Sequence, residues 1–232
     1  MTYTDYTGCD HDLFLALNFD GGPATDRLML AVSGTWMWVP LYLLICYLVL
    51  RGDRPLLPGG DRFAGRADWR RLLLFAALLG ATIGLSDMVA GIFKANGLLG
   101  DLLPDFSPRC RPMYTPSLEG LDIAPDSLAA LRREGARAGE WIVHAPREAL
   151  GGRYGTVSAH AATVVGLAVL AAGAIRRRWF TVLVAGCALA ICYSRIYLGK
   201  HFPLDLLWGG LVGAALGGAA LGCYRRFTRT KR

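Results

Sequence analysis

Residues 179–224 read "WFTVLVAGCALAICYSRIYLGKHFPLDLLWGGLVGAALGGAALGCY". Two apolar runs, 179–199 and 202–224, meet at a turn holding Lys200 and His201, with Arg195 near the end of the first run and Asp205 near the start of the second. Each run has roughly the 20 residues a helix needs to cross a hydrocarbon core ~30 Å thick. Three similar runs lie upstream: 28–50 without a charge, 72–93 with Asp87, and 156–175 with His160. None shows the alternation of a barrel strand, and a backbone in lipid must satisfy its own hydrogen bonds, so helices are the expected form. The fold class expected is all-α: a polytopic membrane helical bundle with five transmembrane helices, one domain over 1–232. Composition agrees, since 53% hydrophobic and 19% charged residues are unlike an ordinary soluble domain.

Positive charge sets the expected orientation, because Lys and Arg near span ends stay cytoplasmic. The linker "RGDRPLLPGGDRFAGRADWRR", the turn "RRR" at 176–178 and the tail "YRRFTRTKR" carry most of it and share one side of a five-span chain. The N-terminus is therefore expected outside and the C-terminus inside, and the net charge of +7 is mainly a topology signal. Nucleic acid is excluded as a partner, because the basic residues form no soluble face with aromatic platforms. Residues 1–27 lack the basic start and apolar core of a cleavable signal. The run "LFLALNF" at 13–19 is too short to span and is expected as an interfacial helix. Trp36, Trp38 and Tyr42 read as interfacial anchors, and His11 and His144 as surface residues.

The segment 95–155 is long, is placed outside, and is punctuated by prolines. Loops of this length are uncommon and often functional. Within it, "PDSLAALRREGARAGEWIV" predicts a short surface helix opening at Asp126 as N-cap. Cys9 and Cys110 both fall outside, so a disulfide between them is open. No cysteine pair has zinc spacing, and neither metal nor cofactor is expected. Gly209, Gly213 and Gly217 recur every four residues, a small-residue stripe that lets membrane helices approach closely, most simply within this chain.

Ionisable residues gather at the expected outer ends of the spans. Lys94 closes the second and is followed by Arg109 and Arg111; Ser158 and His160 open the third; Arg195, His201 and Asp205 bridge the last two. Charges in spans are costly and usually functional. These suit one task, holding and cleaving a phosphate ester. Lys94, Arg111 and Arg195 supply fixed positive charge, the arginines in bidentate form. Ser158 as an N-cap would aim the amides of Ala159 and His160 at an anion. A neutral imidazole can attack phosphorus while a protonated one gives its proton to the leaving oxygen. Asp205, four residues after His201, would accept the other ring N–H of that histidine. Asp87 is either an internal ion partner or a support for this site, and the lean is structural.

"SRIYLGKHFPLD" at 194–205 fits SR-x5-H-x3-D, "VSAHAATVVG" resembles PSGH, and "K…RCRP" from Lys94 to Pro112 resembles K-x6-RP. In order, these resemble the three signatures of the type 2 phosphatidic acid phosphatase superfamily. The resemblance implies a metal-independent membrane phosphatase. It makes His201 the nucleophile, Asp205 its partner and His160 the general acid, with Lys94, Arg111, Ser158, Ala159 and Arg195 on the phosphoryl group. Sixteen residues separate Lys94 from Arg111 where the family has six, which leaves Arg109 as an alternative ligand. Val157 and Ala159 replace the family's Pro and Gly.

The implied substrate is a lipid phosphate or pyrophosphate in the bilayer, at the outer face of a bacterial inner membrane. Undecaprenyl pyrophosphate is favoured over phosphatidylglycerol phosphate, phosphatidic acid and lipid A phosphates. A lipid phosphotransferase on the same site, or a catalytically silent lipid-binding or transport protein, are the alternatives.

Overall fold

The computed structural model describes residues 7–51, 68–93, 107–136 and 141–228. Among them there are eight α-helices and no strand; the one ladder-like pairing is an isolated bridge between Cys110 and Tyr154. The helices are α1 (Thr7–Leu17), α2 (Gly22–Ser33), α3 (Val39–Arg51), α4 (Trp69–Ile92), α5 (Pro125–Glu134), α6 (Ala159–Ile175), α7 (Arg178–Tyr197) and α8 (Pro203–Thr228). By length and composition α4, α7 and α8 can cross a membrane. α6 is apolar but shorter, at 17 residues.

The first expected span departs from a continuous helix. Over 28–50 the chain breaks between α2 and a 3-10 turn at Trp36–Trp38 that leads into α3, and the two halves meet at 68°. The reason is local. Gly34 is extended, Pro40 has no N–H to continue a helical ladder, and the Trp38 indole donates to the Val32 carbonyl at 2.8 Å, closing the corner. Counting the bent pair as one span brings the total to four. The expected five also counts α6.

The bundle centres on α6 and α8, with α4 packed on both. The glycine stripe explains the closeness: a Cβ on Gly209, Gly213 or Gly217 would collide with the carbonyl oxygen of Ser158, Ala162 or Gly166, all at or within α6. The stripe is thus an intramolecular seam. At one end of the bundle Ile45, Leu48, Phe75, Leu170, Phe180, Val184 and Tyr224 form an apolar core. Outward faces carry exposed Leu43, Leu73, Val182, Leu189 and Leu211, as surfaces turned to hydrocarbon do.

At the other end the described parts of 107–155 fold into a cap whose Met113, Tyr114, Leu118, Ala129 and Val143 share one core with Phe14, Ala161, Ile196, Phe202 and Leu206 of the bundle. A buried ion pair joins Glu119 to Arg132, and Glu119 also accepts from the amides of Ile142 and Val143 at 2.8 and 3.2 Å. The expected surface helix is present as α5, but Ala124 occupies the N-cap and Pro125 the first turn. Asp126 lies inside that turn and pairs with Arg153, because proline is preorganised for the first helical position. Cys9 and Cys110 are free thiols. α1 covers 13–17 of the expected interfacial run, and its Phe14 is fully buried against Phe202, so this helix packs onto the cap end of the bundle.

Candidate active site

α7 stops where its last carbonyls are claimed. The amides of Lys200 and His201 both donate to the Arg195 carbonyl, and Gly199, at φ +65°, takes the left-handed conformation that turns the chain. Pro203 then opens α8. Arg195, His201 and Asp205 are each at least 96% buried, and Ser158 wholly so. Ser158 caps α6 by accepting from the Ala161 amide, and its own amide donates to the Asp205 carbonyl at 3.1 Å. That bond and the Gly209 contact fix the start of α6 against the start of α8.

His201 Nδ1 lies 3.1 Å from the Gly155 carbonyl oxygen and 3.6 Å from Asp205 Oδ2. A carbonyl only accepts, so Nδ1 is the donor in this contact, which in the neutral imidazole leaves the lone pair on Nε2. The Asp205 carboxylate, expected as the partner of this ring, stands beside a main-chain oxygen that lies closer to Nδ1. Asp205 Oδ2 also accepts from the Phe202 amide at 3.0 Å.

Positive charge crowds this centre. Arg111 is strapped down by bonds to the Tyr154 and Gly151 carbonyls at 3.2 and 2.6 Å, and burial draws its pKa below the ordinary guanidinium range. Arg195 donates to Ser33 Oγ at the end of α2, while its buried Nε has no hydrogen-bond partner among the described residues. Lys200, which the sequence reading leaves aside, joins them. Burial first, then the nearby Arg195 and Arg111, bring its pKa down to about 8. Among the described residues neither Arg195 nor Lys200 has a carboxylate partner, so their charge is one that an anion could neutralise.

Arg109 borders the same centre from the α1 side. Its guanidinium pairs with Asp10 at 2.6 Å, stands 3.7 Å from Asp205, and stacks on the Phe202 ring at 3.6 Å. Asp10 in turn accepts from the Leu204 amide. Lys94 lies outside the described residues. Ala159 opens α6, and His160 beside it faces a cavity of about 210 Å³ set between the α2–α3 corner, α4 and α6. Asp87, Trp38, Tyr42 and Ser33 border the same space. Trp38 and Tyr42 thus line a cavity, whereas Trp36 is 88% exposed as an anchor would be.

Several supporting residues carry no sequence signal. The Asn18 amide donates to the carbonyls of Ile196, Tyr197 and His144, holding the end of α7. His144 is not a bare surface residue: it meets Asp26 at 2.8 Å, and Asp26 also accepts from the Tyr197 hydroxyl. Asp20, Asp26 and His144 place potential ligand atoms within 4.8 Å of one another. His11 stacks on Phe202. These contacts join residues more than a hundred positions apart, where no spacing rule reaches. Gly155 and Lys200 at least adjoin the motifs at 157–160 and 194–205.

Residues 75–229 match the profile of the PAP2 superfamily. A lipid A 4'-phosphatase of Bacteroides thetaiotaomicron is 28% identical over 206 residues, covering 88% of this chain and 72% of that protein. A lipid A 4'-phosphatase of Porphyromonas gingivalis is 23% identical over 208 residues, covering 90% and 70%. Among solved structures, a transmembrane PAP2 type phosphatidylglycerolphosphate phosphatase from Bacillus subtilis superposes with a TM-score of 0.56 at 15% identity, over 99% of this chain and 90% of that one, and so shares the fold.

Proposed function

The chain belongs to the PAP2 superfamily and is an integral-membrane lipid phosphatase, and from that premise we propose that it removes a phosphate from a lipid A-type headgroup through a phosphohistidine on His201. The observation that carries this reading is the cluster of Arg111, Arg195 and Lys200 around the buried His201, whose Nδ1 lies 3.1 Å from the Gly155 carbonyl oxygen. The two relatives support the choice of lipid over the polyprenyl pyrophosphate favoured by sequence alone.

In the first step the lone pair of His201 Nε2 attacks phosphorus. The N–P bond forms, the bond to the lipid oxygen breaks, and His160 gives its proton to that oxygen. Asp205 stabilises the imidazolium character that grows on His201. In the second step water attacks the phosphohistidine, His160 takes back a proton, and inorganic phosphate leaves. Arg111, Arg195 and Lys200 balance the phosphoryl charge throughout, with the amides at the Ser158-capped start of α6 and, by resemblance, Lys94. Arg111 rather than Arg109 serves as the first-motif ligand, since Arg109 is held by Asp10. The cavity at His160 admits the leaving lipid, with Asp87 at its wall. We take this end to lie at the outer face of a bacterial inner membrane, a reading supported by the arginine-rich opposite end.

The test is phosphate release by the detergent-purified protein, with EDTA present, from lipid A, undecaprenyl pyrophosphate, phosphatidylglycerol phosphate and phosphatidic acid. Release from lipid A is expected to exceed the rest and to fall by several orders of magnitude in His201→Ala. Transfer to an alcohol in place of water would mark a phosphotransferase. Equal release by wild type and His201→Ala would refute the mechanism, and no release from any lipid by the folded protein would favour a silent binding protein.

A further inference from the structure

The larger of the two cavities described here lies at the opposite end of the bundle from His201. It measures about 370 Å³ and sits between the last turns of α3, α6 and α8 and the first turn of α4. α6 separates the two sites by its 17 residues, about 25 Å at 1.5 Å per residue. Three arginines from three elements border the cavity: Arg71 on α4, Arg176 just past α6, and Arg225 on α8. Its floor is apolar, built from Leu48, Ile175 and the ring of Tyr224. The volume falls in the range of small-ligand pockets, roughly 300–1,000 Å³.

A bias of arginine toward this end is expected from topology alone. It does not explain two features. Arg71 is paired with Asp68 at 3.0 Å, but Arg176 and Arg225 meet no carboxylate among the described residues. Arg176 is also the one described non-glycine residue at positive φ, +55°, in the helix-ending position that glycine fills without strain. A side chain kept where its backbone is disfavoured points to a use for the side chain.

We propose that this cavity binds the phosphate of an anionic ligand, held by Arg176 and Arg225 with Arg71 at the rim, and with the apolar floor taking the glycerol and first acyl carbons when the phosphate belongs to a phospholipid. Basic pockets between membrane helices are suited to such headgroups. The site is separate from the catalytic end, and the inference does not depend on which lipid is hydrolysed.

The experiment compares wild type, Arg176→Gly, Arg225→Gln and the double variant in detergent. Thermal unfolding is followed while phosphatidylglycerol, phosphatidylcholine or inorganic phosphate is titrated. Without lipid, Arg176→Gly is expected to unfold no earlier than wild type, because glycine relaxes the left-handed position. The apparent affinity for phosphatidylglycerol is expected to fall about fivefold per arginine removed and about 25-fold in the double variant, with no variant-sensitive effect of phosphatidylcholine. A variant-sensitive shift with inorganic phosphate but not with phosphatidylglycerol would keep the site and identify its occupant as the free anion. Anion binding at the catalytic end is common to all four proteins and cancels in the comparison. Identical responses of wild type and the double variant to both anions would overturn the proposal.

Discussion

Replacing Gly209 by alanine adds one methyl group to the α8 face that lies on the start of α6. Its Cβ would stand 3.0 Å from Ala161 Cβ and inside the contact radius of the Ser158 carbonyl oxygen. Carbon atoms pack at about 3.5–4.0 Å, so the helices must part by on the order of 0.5–1 Å. Overpacking of this kind costs about 1–3 kcal/mol. Gly217→Ala makes the same change against the Gly166 carbonyl, eight residues and about 12 Å further along α8. The two variants should therefore lose similar stability, roughly 2–12 °C in a detergent melt at fixed scan rate. Their activities should diverge. Ser158 is bonded to Asp205, so parting the helices at Gly209 displaces the α6 amides from His201, and a displacement near 1 Å costs on the order of 100-fold in kcat/KM. Gly217→Ala should lose less than about tenfold. Equal losses in the two variants, or a Gly209→Ala enzyme of wild-type rate, would show that the seam does not position the site.

Asp205→Asn should reduce kcat/KM by about 10–100-fold, well short of the ~10⁴-fold seen when an aspartate alone sets a histidine's tautomer, because Gly155 already accepts the Nδ1 proton; a loss as large as that of His201→Ala in the same steady-state assay would contradict this. Lys200, with a folded pKa of about 8 against an ordinary 10.5, loses its charge as pH rises through 8. Inhibition by inorganic phosphate should weaken over that range, and Lys200→Gln should flatten the dependence. The unfolded chain holds this proton between about pH 8 and 10.5 while the folded one does not, so Lys200 raises ligand-free stability with pH across that window, which melts of wild type and Lys200→Gln would compare. Glu119→Ala strands Arg132 in the cap and should cost about 3–5 kcal/mol, read as a lowered melting temperature, with recovery when Arg132→Met is added; no change in the single variant would place the pair outside the cooperative core.

The catalytic centre was legible where its residues are close in sequence. Arg195, His201 and Asp205 fall within eleven residues, and the four-residue step from His201 to Asp205 follows from α8 starting at Pro203. Ser158 as a cap was legible for the same reason. The α2–α3 corner was not, because hydropathy measures only how apolar 28–50 is, while Gly34 and Pro40 decide whether its helix continues. Arg109 and Arg111 could not be distinguished from spacing. The contact between Arg109 and Asp10 joins residues 99 positions apart, on a helix that packs on Phe202. Lys200 had no assigned part in the site until the turn at Gly199 set its charge near Arg195 and Arg111. The α5 boundary moved by two residues because proline outweighed aspartate at the helix start.

The Gly155 carbonyl gives the centre an unusual pattern of tolerance to genetic change. A side-chain acceptor can be deleted by one base substitution, but a main-chain oxygen is present whatever residue is encoded at 155. Point substitution cannot delete that oxygen, although a Cβ at 155 would stand 3.3 Å from His201 Nδ1, Asp205 Oδ2 and Arg111 Cγ and crowd the ring. A gain or loss of one residue between Tyr154 and Ser158 can displace it, since it would put a different carbonyl, facing another way, opposite the ring. Most surface loops accept such length changes readily. Here the segment before α6 should be among the least forgiving of them, even where its residue types vary.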